Sequence, residues 1–174
     1  MAYEKFWDRS EEVARLCAII AGEQMLTCNV AVDQAYMAGL FHECGVPILM
    51  QHIPEYCEAF RLNQGDGWPD FREEDRRFRT DYAVVGFLVS RHWHLPELVC
   101  QAVRFHRDRL SVDHAALTLV SILQMARHLH GLIHRTPDAE WSDVRDAVLE
   151  EIGVSKEGAA EFMEEAMEIF SGQQ

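Results

Sequence analysis

Apolar positions recur along this chain at spacings of three, four and seven, the pattern of helices with one buried face. From Tyr3 to about Gly22 they fall at Phe6, Val13, Leu16, Cys17 and Ile20. Ala31 to Cys44 predicts a second helix, with Gly45 placed to stop it in a left-handed conformation. Val46 to His52 is a short third piece, and Pro54 starts the next, through Leu62. The run 63–67 (Asn-Gln-Gly-Asp-Gly) is the clearest loop. A short charged helix follows from Pro69 to Arg79, then one capped by Thr80 and running to about Trp93. Leu95-Pro96 breaks the pattern before a helix to about Arg107. His114 to His134 is the longest regular stretch, and Pro137 ends it. Two final helices, Trp141 to Glu151 and Ser155 to Phe170, are separated by Gly153, with Ser155 as the second one's cap. Strand-like alternation, internal repeats and low-complexity segments are absent. The expectation is a single all-α domain over residues 1–174, a bundle of about eight to ten helices.

Composition narrows the class. The 174 residues are 48% hydrophobic and 26% charged, enough for one domain with a real core. No apolar run approaches the roughly 18 residues of a membrane span. The start, Met1 through Asp8, is polar and aromatic and does not read as a secretion signal. The five cysteines (Cys17, Cys28, Cys44, Cys57 and Cys100) include no Cys-x-x-Cys pair. They read as free, mostly buried thiols in a reducing cytoplasm.

Charge removes one class of partner. The net charge is −13, and the local basic run from Arg72 to Arg79 is interrupted by Glu73, Glu74 and Asp75. A nucleic-acid binder needs an unbroken basic stripe to displace phosphate counterions. The acidic helices over 140–172 read as a solvated surface that suits a basic partner protein.

The chemistry is concentrated in Phe41-His42-Glu43-Cys44-Gly45. Adjacent His and carboxylate offer a metal one nitrogen and one oxygen ligand, but two ligands do not hold a catalytic metal. The same pair also suits a hydrogen-bonded polar core at a helix end, and so does His106. His130 and His134 stand four apart on one helix, the spacing of a metal clip, but with no acidic or Cys partner near in sequence they read as surface histidines. Trp68 and Trp93 read as core or loop anchors, and Met37, Met50 and Met125 as core filler. A Gly-rich phosphate loop, a Gly-x-Ser-x-Gly elbow and a zinc-protease helix are all missing.

Four segments together resemble the HDOD domain, a bacterial relative of the HD phosphohydrolases. They are Phe6-Trp7 with Ser10 and Val13-Ala14; Ala35 to Tyr56 (AYMAGLFHECGVPILMQHIPEY); Asp81 to Asp108 (DYAVVGFLVSRHWHLPELVCQAVRFHRD); and the helix beginning at Leu117 (LTLVSILQMARHLH). The resemblance is strongest over 3–134 and implies correspondence to the C-terminal, HD-like half of that domain, since the family usually carries a further helical portion before its Phe-Trp helix. It also implies an HD pocket whose ligand positions are largely replaced. Arg9, or Ser10 one residue on, stands where the family's first His is expected. His42-Glu43 stands for His-Asp, Tyr82 for a further His, and Arg127 for the late Asp. His106 remains, followed by Arg107 where a second His is common. Arginine is always protonated and cannot ligate a metal. The substitutions predict that Arg9 or Arg127 pairs with Glu43 in the space a metal would fill, bringing a guanidinium within about 6 Å of the carboxylate.

By this resemblance the chain is expected to be a non-enzymatic signal-transduction module with a degenerate HD pocket and no cofactor. It would act in the cytoplasm through contacts with other signalling proteins, without nucleic acid or membrane, and its pocket could hold a small anion. The alternative is a metal-dependent phosphohydrolase with one divalent ion on His42, Glu43 and His106.

Overall fold

A computed structural model describes residues 2–63, 68–136, 138 and 140–172, and all structural statements refer to these. The chain is all α. Its helices are α1 (Ala2–Glu23), α2 (Met25–Cys28), α3 (Val32–Phe41), α4 (Gly45–His52), α5 (Tyr56–Ala59), α6 (Phe71–Phe78), α7 (Tyr82–His92), α8 (Glu97–Phe105), α9 (His114–Ile133), α10 (Trp141–Ile152) and α11 (Ala159–Gly172). A 3₁₀ turn at Arg109–Ser111 joins α8 to α9. No strand is present among the described residues, and no helix is long and apolar enough to cross a membrane.

Two long helices organise the molecule. α1 has 22 residues and α9 has 20, and they pack on each other with α3, α8, α10 and α11 around them. Their shared apolar face includes Leu16, Ile20, Ile122, Leu123 and Leu129, all fully buried. A second, smaller cluster lies among α4, α5, α6 and α7, where Phe6, Tyr56, Phe60 and Tyr82 supply most of the volume. The candidate site sits where the two clusters meet.

The periodic segments appear close to the expected positions, but several terminal signals act differently. Gly45 does not stop a helix in a left-handed conformation; it is the first residue of α4. A Cβ there would lie 2.1 Å from the Tyr82 carbonyl oxygen, so the glycine permits backbone contact between α4 and α7. Gly86 continues that contact from the other side, with its Cβ position 3.3 Å from Cys44 Sγ and 3.0 Å from Val103 Cγ1. The left-handed glycine is instead Gly153, at φ 75°, ending α10.

Asp81, not Thr80, caps α7, its carboxylate accepting from the Val84 amide at 2.8 Å. Ser155 caps only a turn, accepting from the Gly158 amide at 3.0 Å, and α11 starts later. The Pro54–Leu62 stretch is helical only over Tyr56–Ala59. The one-turn α2 carries no strong periodic signal and was not expected. Residues 64–67 of the expected loop and Pro137 lie outside the described residues. All five cysteines are free thiols; Cys17, Cys28 and Cys100 are buried, while Cys44 and Cys57 are partly exposed.

Candidate functional site

The turn joining α3 to α4 carries His42 and Glu43 inward. It is tied by the Cys44 amide to the Phe41 carbonyl (3.0 Å) and the Val46 amide to the Glu43 carbonyl (2.9 Å). Both side chains are fully buried. An ionised carboxylate in such a place needs a partner. Arg9, reaching in from α1, supplies it: its Nε donates to Glu43 Oε2 at 2.9 Å. Trp68 Nε1 donates to the other oxygen, Oε1, at 3.0 Å, and the Trp68 ring lies under the Arg9 guanidinium, 4.9 Å from Cζ to centroid. Both carboxylate oxygens are therefore engaged. Burial alone would raise this carboxyl, but Arg9, His42, Arg127 and Arg107 outweigh it and hold Glu43 well below the usual carboxylate range.

Behind this pair runs a second polar line. His106, at the end of α8, places Nδ1 2.8 Å from the Val103 carbonyl, and its Nε2 lies 3.2 Å from the Tyr82 hydroxyl. Arg107 Nε in turn donates to that hydroxyl at 2.6 Å. The order fixes the protons: Nδ1–H of His106 donates to the backbone, and Nε2 accepts from Tyr82, which accepts from Arg107. His42 repeats the first half of the scheme, with Nδ1 2.6 Å from the Gly39 carbonyl. Its Nε2 is buried without a hydrogen-bond partner, 3.5 Å from Glu43 Oε2.

Burial lowers His42 to about 4, more than the Glu43 charge raises it. Burial also keeps His106 neutral, with Arg127, His42 and Arg107 acting in the same direction. Tyr82 is pushed up to about 12 by burial, against the pull of Arg107.

Arg127 from α9 completes the group. Its Nε is buried without a partner, and its terminal nitrogen is 3.9 Å from Glu140 Oε2. Glu140, just before α10, also accepts from Arg107 at 3.0 Å. The structure thus brings Arg9, His42, Glu43, Tyr82, His106 and Arg127 together. Of the two arginines expected to reach Glu43, Arg9 makes the pair and Arg127 faces Glu140. A cavity of about 480 Å³ opens beside them, lined by Arg9, Trp68, Arg107, Arg127, His130 and Glu140.

This donor set does not fit the divalent ion that an HD-type pocket implies. Both Glu43 oxygens and His106 Nε2 are already engaged by donors. Only His42 Nε2 offers a bare lone pair. Three guanidinium groups face the centre, and cations there oppose a metal.

Sequence reasoning missed Trp68 and Glu140 as members of the group, placed Arg107 only as the replacement of a common second His, and misplaced others. Trp93, expected as an anchor, is 60% exposed. His130 is buried rather than on the surface, and His128 is largely covered, stacked on Trp141 at 4.1 Å. Glu74, on the expected short charged helix, is fully buried, accepting from the Tyr56 hydroxyl and from the Tyr82 amide at 3.4 Å. Burial raises the Glu74 carboxyl to about 7.

A model of the HDOD domain matches residues 1–109. No curated protein matches the chain. Among solved structures, a candidate signal transduction protein from Marinobacter aquaeolei VT8 aligns with TM-score 0.73 at 20% identity, over 95% of this chain and 37% of its own. An HDOD domain protein of unknown function from Geobacter sulfurreducens aligns at 0.68 and 22%, over 95% and 60%. A candidate phosphohydrolase from Shewanella amazonensis SB2B aligns at 0.67 and 20%, over 96% and 62%. The chain spans 37% to 62% of the length of these structures.

Proposed function

The chain belongs to the HDOD domain family, and on that premise we propose that it is a non-catalytic signal-transduction module in which an ion pair replaces the metal of an HD pocket. The observation that carries this reading is the 2.9 Å contact between Arg9 Nε and Glu43 Oε2, with Trp68 on the remaining oxygen. A guanidinium held there satisfies the buried carboxylate without a metal. The pocket becomes a fixed structural element joining α1, the α3–α4 turn and the segment before α6. The module acts by presenting its surface to other signalling proteins. Exposed apolar side chains such as Trp7, Leu88 and Trp93 and the acidic C-terminal helices suit such contacts. The cavity beside the pair, with Arg9, Arg107 and Arg127 on its wall, suits a small anion.

The competing reading is a metal-dependent phosphohydrolase using His42, Glu43 and His106; the bare Nε2 of His42 is the observation in its favour. Incubation of the protein with Mn²⁺ or Fe²⁺ and an activated phosphodiester such as bis(p-nitrophenyl) phosphate separates the two. The expected result is no hydrolysis above the buffer blank. Turnover that disappears in His42→Ala would overturn the proposal.

A further inference from the structure

One helical turn past Arg9 on α1 stands Glu12, and one turn past Arg127 on α9 stands His130, followed after four residues by His134. α1 and α9 pack together here. Glu12 Oε2 lies 3.0 Å from His130 Nε2 and 2.6 Å from His134 Nε2, and the three candidate ligand atoms lie within 4.8 Å of one another. Two histidines four apart on one helix face point the same way, and a carboxylate from the facing helix closes the set.

We infer that Glu12, His130 and His134 form a binding site for a divalent transition-metal ion of the zinc class, one helical turn away from the HD pocket. Donors to such an ion sit about 3.0 to 3.4 Å from each other in octahedral or tetrahedral arrangement, given bond lengths of about 2.0 to 2.2 Å. The 3.0 Å contact already matches, the 2.6 Å contact needs a small opening, and the two imidazole nitrogens lie within 4.8 Å of each other. Two imidazoles and one carboxylate are a donor set for zinc, iron, nickel or copper rather than calcium or magnesium. His130 is buried. Its Nδ1 has no partner, so the ring's polar contact runs through Nε2 and Glu12.

His134 is 43% exposed and Glu12 26%, which leaves an open side for water to complete the coordination and for the ion to enter. Arg9, the cation facing His130, is already paired with Glu43 and so weakly opposes a metal at this distance. The bound ion would clamp α1 to α9 at the edge of the cavity. This site uses none of the residues of the HD-type pocket and stands whether or not that pocket is inert.

The test is titration of the untagged full chain with Co²⁺, read by its d–d absorption, and with Zn²⁺ by calorimetry. One ion per chain is expected. Its affinity should fall at least about tenfold in Glu12→Gln and in His134→Ala, since loss of a ligand costs no less than loss of its supporting partner. His42→Ala should bind as the parent does. Circular dichroism checks that each variant is folded; His134 is exposed enough for its alanine variant to keep the fold. The absence of a sulfur-to-cobalt charge-transfer band excludes the five thiols as ligands. Failure to bind either ion, a thiolate band, or affinity that survives His134→Ala would overturn the proposal. Binding that instead vanishes in His42→Ala would overturn it too, and would also count against the ion-pair reading of the pocket.

Discussion

The two apolar clusters of this domain are built on different terms. The larger, between α1 and α9 and their neighbours, is mostly aliphatic, with Leu16, Ile20, Leu123 and Leu129 buried completely. Its two central helices are long, with 22 and 20 residues, and periodicity accounts for them. The smaller cluster rests on aromatic rings and on helices of four to eleven residues, α4 to α7. Short helices are marginal by themselves. They are held here by buried polar groups: Glu74 under Tyr56, Asp81 on the Val84 amide of α7, and Glu43 clasped by Arg9 and Trp68. The lesson is that one half of the fold depends on volume and the other on partners, and that the second half is the one carrying the candidate site.

The largest effect should come from removing a partner. Arg9→Ala leaves Glu43 buried and unpaired, and a loss of about 3 kcal/mol or more is expected in urea denaturation at neutral pH. A loss under about 1 kcal/mol, the range of exposed ion pairs, would mean that the carboxylate finds water and that the contrast between the two halves is weaker than drawn.

Next comes pH. The Glu74 carboxyl has a folded value near 7 against an ordinary 4.5. Between those values the native state keeps a proton that the unfolded chain has released, so this group's contribution falls as pH rises through the window. The size is about 3 kcal/mol. His42 works in the opposite sense: burial lowers it from 6.5 to about 4, so its contribution is lost as pH falls across that range. Glu74→Gln isolates the first effect, because the amide cannot ionise, while its oxygen can accept from the Tyr82 amide and its NH2 can donate to the Tyr56 hydroxyl oxygen. The variant should gain on the parent by about 3 kcal/mol between pH 4.5 and 7.5. A flat difference would show that the carboxyl is not held protonated.

The smallest expected effect sharpens the account of the short helices. Asp81→Ala removes the α7 cap and should cost about 1 kcal/mol, while Thr80→Ala, at the position favoured by sequence reasoning, should cost little. Chemical denaturation of the two variants side by side decides which residue caps the helix.

The helical architecture was legible because its signal is local. Spacings of three and four between apolar residues need no knowledge of the rest of the chain, and α1, α3 and α7 to α11 follow from them. The site was legible in part for another reason: the His42-Glu43 pair stood inside a family pattern that also held Arg9, Arg107 and Arg127. What remained hidden depends on the tertiary fold. Trp68 and Glu43 are 25 residues apart, Arg107 and Glu140 33, and His130 and Glu12 118. Their meeting leaves no trace in spacing. The burial of Glu74 stayed hidden for a related reason: its neighbours Glu73, Asp75, Arg76 and Arg77 advertise a wet face, and only the tyrosines waiting above it make burial tolerable. Gly45 looked like a stop because glycine after a helix usually is one. The overriding requirement was room for another helix.

That requirement has a mechanical consequence. Where α4 meets α7, main chain rests on main chain, with no side chain to act as a cushion. Side chains can change rotamer and absorb a strain; peptide planes in contact cannot. The turn bearing His42 is therefore mounted on a hard bearing. A partner pulling on α7 would shift α4 and that turn as one piece, conveying a displacement into the interior instead of dissipating it at the surface.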